Sequence, residues 1–177
     1  MLELNFTVFP SLETERLLLR QLKASDEEAI RLLRSDERVN EYLARPKSAT
    51  AEQAREFIYH IKKRIAENES LYWAIAKKET PGLIGTACLY NFNKEDRVAE
   101  IGYELYPDFQ GKGFMQEALA KIIEYSFRQL NLKKLEAYTH PLNIRSELIL
   151  QKFHFNKKDE LSEHGEAVFS LGNRATK

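Results

Sequence analysis

The alternation of apolar and polar residues predicts six strands, because side chains on a half-buried strand point alternately to the core and to solvent. They are expected over Arg16–Leu19, 71–78 (LYWAIAKK), 83–90 (LIGTACLY), 98–105 (VAEIGYEL), 133–140 (KKLEAYTH) and Glu166–Leu171. Pro81–Gly82 is a turn signal between the second and third strands, and the polar stretch 91–97 separates the third from the fourth. The middle of the chain therefore predicts an antiparallel meander.

Apolar residues spaced by three and four predict four helices around these strands. Ser25 with Glu28, and Thr50 with Gln53, have capping-box spacing before the first two. A third helix is expected from the glycines at 111 and 113 to about Leu130, and a fourth over Ser146–Phe153. This mixture predicts an α+β (mixed α/β) fold, with helices packed on a largely antiparallel sheet. With 177 residues and no internal repeat, we expect one domain.

The strand at 98–105 carries two acids on one face. Glu100, Gly102 and Glu104 alternate with the apolar residues of the opposite face, so the acids face water or a cleft. Four residues along a strand separate the two acids by roughly 13 Å, which disfavours a glycosidase pair acting across one bond. Gly102 is interpreted as a bulge or as a place where a ligand approaches the backbone.

A glycine turn follows in PDFQGKGFMQEAL, just before the third helix. Gln116 stands where a dinucleotide fingerprint needs its third glycine, and Phe114 and Met115 break the phosphate loop that ends in Gly-Lys-Ser/Thr. Backbone N–H groups at the start of a helix can still bind a phosphate or diphosphate, helped by the helix dipole and Lys112. An ordinary loop remains the alternative for this turn taken alone.

Composition narrows the class of function. The 27 basic and 27 acidic residues balance, which disfavours nucleic-acid binding. No apolar run reaches the roughly 20 residues of a membrane-spanning helix, and the first ten residues lack a secretory pattern, so we expect a cytoplasmic protein. Four scattered histidines and one cysteine show no zinc spacing, and we predict no metal. Cys88 is expected to be a buried thiol, and Tyr72 and Trp73 to pack the sheet.

Two segments together carry a resemblance to a known family. EIGYELYPDFQGKGFMQEAL followed by AYTHPLNIRSELILQKFHF resembles the GNAT N-acetyltransferases, in particular the branch that acetylates the N-termini of ribosomal proteins. The resemblance extends over nearly the whole chain, including TERLLLR and LYWAIAKKETPGLIG. It implies the GNAT fold: a central, mostly antiparallel twisted sheet of about six to seven strands, helices on both faces and a splayed cofactor cleft. It also implies acetyl-CoA as co-substrate and an amine as acceptor.

The resemblance assigns cofactor residues one by one. The family pattern that holds the diphosphate corresponds to Gln110, Gly111, Lys112, Gly113, Phe114 and Met115, with Met115 departing from it. The pantetheine arm would pair with the strand ending at Leu105 and Tyr106, and a backbone N–H there would stabilise the oxyanion. Asn143, Ser146 and Lys152 match the remaining family positions, while His154 replaces a glycine whose φ is expected to be positive.

The catalytic assignments are Glu100 as first-choice base, Glu104 as second choice, and Ser146 as the hydroxyl nearest the leaving sulfur. Many enzymes of the family use a tyrosine for that last role, but the aligned residue here is Leu150. The acidic residues could instead bind the ammonium as counter-charges, and Ser146 could simply be a helix N-terminal residue that satisfies backbone donors.

The acceptor stays open at this point. A protein N-terminus such as that of a ribosomal protein is favoured by the resemblance, a polyamine or aminoglycoside is the alternative, and a non-catalytic acyl-CoA-binding module is the rival class. His140 could line the amine channel, and residues 39–47 could select the acceptor. An exposed edge strand would permit a homodimer.

Overall fold

The centre of the protein is one open sheet. The structure, a computed structural model, describes residues 2–43 and 45–173. Its strands are β1 (Leu12–Glu13), β2 (Leu17–Gln21), β3 (Leu71–Lys77), β4 (Thr80–Asn93), β5 (Val98–Leu105), β6 (Lys134–Thr139), β7 (Asn156–Leu161) and β8 (Ala167–Gly172). They lie in the order β1-β2-β3-β4-β5-β6-β8-β7, and every neighbouring pair is antiparallel except β5 with β6.

The expected mixed fold and mostly antiparallel sheet are confirmed, but the sheet has eight strands rather than six to seven. The sequence pattern missed the two edge strands. β1 is two residues long, and all six residues of β7 are exposed, so neither strand has an apolar alternation that could reveal it.

The predicted Pro81–Gly82 turn is wrong. The chain reverses at residues 78–79, where Lys77 pairs with Thr80, and Pro81 and Gly82 lie inside β4. The register shifts there, since Lys77 faces Thr80 while the preceding Ala76 faces Leu83. Proline and glycine are tolerated in such a bulge, which explains why they do not mark the turn itself.

The helices are α1 (Glu27–Ser35), α2 (Glu37–Asn40), α3 (Ala51–Ala66), α4 (Phe114–Arg128) and α5 (Ile144–Lys152). The Thr50–Gln53 capping box at the start of α3 is confirmed. The Ser25–Glu28 box is wrong, because Ser25 lies in a 3₁₀ turn, Ala24–Asp26. Asp26 accepts from the backbone N–H of Lys23 at 2.8 Å and from Arg20 at 2.7 Å, which fixes that turn ahead of α1.

Helices cover both faces of the sheet. Tyr72 and Trp73 are consecutive in β3 and so point to opposite faces. The ring of Tyr72 meets Phe57 of α3 at 5.6 Å, and the ring of Trp73 meets Tyr125 of α4 at 6.0 Å. We call the side that carries Tyr72 the first face and the side that carries Trp73 the second face.

The sheet opens between its two parallel strands. β5 and β6 pair only at Val98–Lys134, Ala99–Leu135 and Glu100–Glu136, although both strands continue for several residues. Beyond Glu100 the strands diverge, so the rest of β5 has a backbone edge without a partner strand. The splayed cleft expected from the sequence lies here.

Candidate active site

The open edge of β5 presents backbone groups from alternate residues. The N–H of Tyr106 bonds to the carbonyl of Ile84 at 3.0 Å, on the β4 side. Because strand residues alternate in direction, the N–H groups of Tyr103 and Leu105 face the cleft. The carbonyl of Leu105 also faces it and accepts from the side-chain amide of Gln110 at 2.9 Å.

Of the two predicted backbone positions, the structure brings Leu105 to the cleft and not Tyr106. The N–H of Tyr106 is already bonded within the sheet, and its hydroxyl donates to the carbonyl of Ala29. The alternation of the strand decides this, and it can be read from the sequence only once the pairing with β4 is known.

The glycine turn leads directly from this edge into α4. Gly111 and Gly113 have φ of +73° and +78°, and Gly113 is the N-cap of α4. A left-handed backbone favours glycine, so both positions are explained by conformation. Among the described residues, no acceptor pairs with the backbone N–H groups of Gly111, Gly113 or Phe114. This arrangement of unpaired donors at the start of a helix fits a diphosphate.

Cationic side chains surround the turn. Arg16 donates to the carbonyl of Lys112 at 3.1 Å and lies 4.5 Å from the ring centre of Phe114. The carboxylate of Glu117 fixes Arg16 there. It accepts hydrogen bonds from the Arg16 Nε at 2.6 Å and from the Arg16 backbone N–H at 2.8 Å. The ammonium of Lys112 donates to the carbonyl of Asp108 at 2.7 Å. Arg16 was not predicted as a site residue, because it lies about a hundred residues away in sequence.

The departures from the family pattern have simple packing explanations. The side chain of Met115 is 7% exposed and packs into the core, so it leaves the N–H groups of the turn open. His154 has φ of +61°, which confirms that this position needs a positive φ. Histidine is among the residues that tolerate such a backbone better than most.

Glu104 lies in a buried polar cluster on the first face. Its Oε2 is 2.5 Å from Nη2 of Arg45, and its Oε1 accepts from Thr86 at 3.1 Å. The side chains of Arg45 and Glu104 are 20% and 7% exposed. Arg45 belongs to the 39–47 segment, which the structure therefore brings against β5. A carboxylate so engaged is a poor candidate for a free base.

Glu100 is the less constrained of the two acids. Its Oε1 accepts from the side chain of Asn91 at 3.0 Å, and it lines an open cavity of about 570 Å³ that lies over the paired part of β5 and β6, before the strands diverge. Gly102 between the acids lies in regular pairing with Cys88, so the predicted bulge is absent there. A Cβ at Gly102 would be 3.1 Å from the Cys88 sulfur and 3.4 Å from Tyr90, which explains the glycine without a ligand.

Asn143 and Ser146 stand at the start of α5 across the cleft. Asn143 accepts from the backbone N–H of Ser146 at 3.1 Å, so the cap is Asn143 and not Ser146. The Ser146 hydroxyl instead lies 2.9 Å from the hydroxyl of Tyr103. Arg145 donates to Gln110 at 2.6 Å and so connects α5 to the glycine turn. Lys152 is exposed at the far end of the helix, roughly 13 Å along its axis from Asn143.

The remaining singled-out residues have structural explanations. Burial raises the pKa of the Cys88 thiol to about 12, which makes it unreactive. Trp73 is fully buried and donates to the carbonyl of Pro10 at 2.7 Å. His140 stacks on Tyr42 with ring centres 5.4 Å apart.

Within residues 2–43 and 45–173, no helix has the length and apolar composition needed to cross a membrane. Nor do the same residues contain a cluster of histidine, cysteine and acidic side chains suited to a metal.

Comparison with known proteins identifies the matching family. Residues 16–156 match the family model described as an acetyltransferase (GNAT) domain. The uncharacterized N-acetyltransferase YoaA of Bacillus subtilis is 34% identical over 157 residues, which cover 89% of each chain. The spermidine N(1)-acetyltransferase of Vibrio cholerae is 26% identical and covers 84% of this chain and 83% of its own.

A solved structure shows the same fold. The ribosomal-protein-S5-alanine acetyltransferase from Vibrio fischeri superimposes with a TM-score of 0.79 at 25% identity, covering 95% of this chain and 99% of the other.

Proposed function

The chain belongs to the GNAT acetyltransferases, and from this premise we propose that it transfers the acetyl group of acetyl-CoA to the N-terminal amine of a protein. The observation that carries the proposal is the open edge of β5 running into the two left-handed glycines at the start of α4. An extended pantetheine arm can pair with such an edge as an added strand does, while a diphosphate binds the N–H groups of the turn.

The residues around the cleft have distinct roles in this proposal. The turn 110–115, with Arg16, holds the diphosphate, and the N–H of Leu105 stabilises negative charge on the reacting carbonyl oxygen. Asn143 contacts the pantetheine amides. Acetyl-CoA supplies the acetyl group as a thioester. An acceptor ammonium must first lose a proton, and Glu100 takes it either directly or through a water.

The charge of the first face does not separate the acceptor classes, because Arg34 and Arg45 near Glu104 are balanced by Glu104 and Glu100 on the same face of β5. The likeness to the S5-alanine acetyltransferase is what supports a protein N-terminus.

A thiol-release screen tests the acceptor. Purified protein with acetyl-CoA is offered N-terminal peptides, spermidine and an aminoglycoside, and free coenzyme A is measured against a reaction without acceptor. We expect release with peptides only. If spermidine is acetylated with a higher kcat/KM than the peptides, the proposed protein acceptor is wrong. The acceptor is then a polyamine, as the name of the spermidine N(1)-acetyltransferase relative states for that protein. Release with none of them, in a protein that still binds coenzyme A, would favour the binding module.

The cytoplasmic location and the homodimer expected from the sequence stay predictions, which cell fractionation and light scattering can test.

A further inference from the structure

A tyrosine hydroxyl meets Ser146 inside the cleft. The Tyr103 Oη lies 2.9 Å from the Ser146 Oγ, which joins the middle of β5 to the first turn of α5. Tyr103 projects from the second face of the sheet, and its own N–H points to the open edge. The contact therefore crosses the cleft from β5 to α5. It lies beside the backbone that is proposed to pair with the pantetheine arm.

The position at which the family commonly has its tyrosine provides no hydroxyl in this chain. Leu150 is 1% exposed and packs in the core. Its aliphatic side chain cannot donate a hydrogen bond and does not line the cleft. Ser146 is the hydroxyl at the start of α5, but an aliphatic alcohol alone is a weak hydrogen-bond donor to a departing thiolate. A partner that polarises it would improve it.

The direction of the hydrogen bond follows from the partners that each group has. A phenol is a stronger acid than an aliphatic alcohol, and among the described residues the Tyr103 hydroxyl has two acceptors within reach, the Ser146 Oγ at 2.9 Å and the Ser146 backbone carbonyl at the longer distance of 3.5 Å. The N–H of Ser146 is already bonded to Asn143 at 3.1 Å. The acidity of the phenol and the shorter distance favour donation from Tyr103 to the Ser146 Oγ, which leaves the Ser146 proton available to the cleft.

We propose that Tyr103 is a positioning residue that polarises Ser146, so that the Ser146 hydroxyl donates a hydrogen bond to the leaving sulfur of coenzyme A. The inference rests on the proposed function and adds a phenol from β5 in place of the one missing from α5.

No proton leaves Tyr103 in this scheme. Burial raises the pKa of its hydroxyl, which keeps it protonated. The amine nitrogen forms a bond to the acetyl carbon, the carbon–sulfur bond breaks with both electrons going to sulfur, and the thiolate is stabilised by the Ser146 hydrogen bond. Glu100 has already taken the first ammonium proton; the nitrogen gives its second proton to water as the amide forms, and water protonates the thiolate, so that coenzyme A leaves as the thiol.

A double-mutant cycle tests the link in steady-state kinetics. Tyr103→Phe removes only a hydroxyl, and we expect kcat to fall about tenfold with the KM for acetyl-CoA nearly unchanged, since one hydrogen bond is worth about 1.4 kcal/mol. Ser146→Ala should lower kcat at least as much, and the double variant should be no slower than Ser146→Ala. Independent, multiplying effects would overturn the proposal.

Tyr125→Phe is the matched control. Tyr125 also lies on the second face and contacts Trp73 edge-on, but no hydrogen bond to its hydroxyl is present among the described residues. We expect its kcat to match that of the unmodified protein. An equal loss in both phenylalanine variants would assign the effect to packing and contradict the role of Tyr103.

A binding measurement separates this inference from the proposed function. The pKa of the thiol of bound coenzyme A, followed by ultraviolet absorbance of the thiolate, should be about one pH unit lower in the unmodified protein than in Tyr103→Phe. If that difference is seen without any turnover, the inference stands and the enzymatic proposal fails. If turnover is normal and neither kcat nor the thiol pKa depends on Tyr103, the inference fails and the enzyme remains. If coenzyme A does not bind, both are wrong.

Discussion

Glu100 and Glu104 occupy equivalent positions of one strand, yet their surroundings give them different chemistry. Glu104 is engaged by Arg45 and Thr86, whereas Glu100 has an amide partner and faces the cavity. The sequence placed both acids on one face and ranked Glu100 first, but it had no means of locating Arg45. A single ion pair therefore supports the ranking of the two candidates.

The base assignment predicts a large kinetic effect at Glu100. Glu100→Gln keeps the size and the hydrogen bond with Asn91 but cannot accept a proton, so we expect kcat to fall about 10²-fold or more. Glu95→Gln, an exposed change in the neighbouring turn, is the control and should leave kcat unaltered. Undiminished turnover in Glu100→Gln at neutral pH would show that another group is the base.

The Arg45–Glu104 pair predicts a stability effect that depends on both partners. Arg45→Met leaves a buried carboxylate without its counter-charge and should lower the free energy of unfolding by about 3 kcal/mol. Adding Glu104→Gln to it should recover most of that loss, as measured by urea denaturation. Arg38→Met removes a pair in which Arg38 is 66% exposed, and it should change stability by less than about 0.5 kcal/mol. Simple additivity of the two buried changes would argue against the pair.

At the scale of elements, the junction between β5 and α4 combines local and distant contributions. The left-handed glycines and the helix start are local, so the sequence could indicate an anion-binding turn. The attachment of α4 to the connection between β1 and β2 is distant: Glu117 accepts from Thr14 at 2.5 Å and from Arg16. These contacts connect segments about a hundred residues apart, and hydrophobic spacing contains no information about them.

The turn itself predicts a loss of coenzyme affinity on substitution. Gly111→Ala has open space around the new methyl group, so its cost comes from φ alone and should be about 1 kcal/mol in stability. We expect weaker binding of coenzyme A by calorimetry, about tenfold, because the N–H groups turn away. Gly82→Ala also adds a methyl in open space, but at a φ outside the left-handed range, and should bind normally. Equal affinities in the two variants would exclude the turn from the site.

The attachment of α4 predicts a dependence of stability on pH. Burial by itself would raise the pKa of Glu117, but the bonds from Thr14 and Arg16 bring it below the usual value. The unfolded chain therefore binds the proton more readily, so this contribution is complete above about pH 4.5 and is lost as the pH falls through the lower folded pKa. In urea titrations between pH 3 and 6, Glu117→Gln should flatten that decline. An unchanged pH profile would contradict the assignment.

At the scale of the whole molecule, the cleft predicts that the stability of the sheet increases when a ligand binds in it. Only three residue pairs join β5 to β6, and the proposed coenzyme would contact both sides of the opening. Coenzyme A at about 100 times its dissociation constant should add about 2.7 kcal/mol to the stability, or roughly 5–10 °C in Tm. A thermal scan with and without coenzyme A measures this, with Gly111→Ala as the weaker-binding comparison. Identical melting temperatures would contradict a site in the cleft.

The sequence by itself determined the mixed fold, most of the strands and the glycine turn, because apolar periodicity and left-handed glycine preferences act over a few residues. It could not determine the edge strands, the position of the turn before β4 or the direction of the Tyr106 N–H. All three depend on how the strands pair with one another. Only the tertiary structure decided which groups meet: Arg45 with Glu104, Arg16 with Glu117, and Tyr103 with Ser146. Each of these contacts forms between distant segments that approach one another only when the sheet and its helices bury a common core.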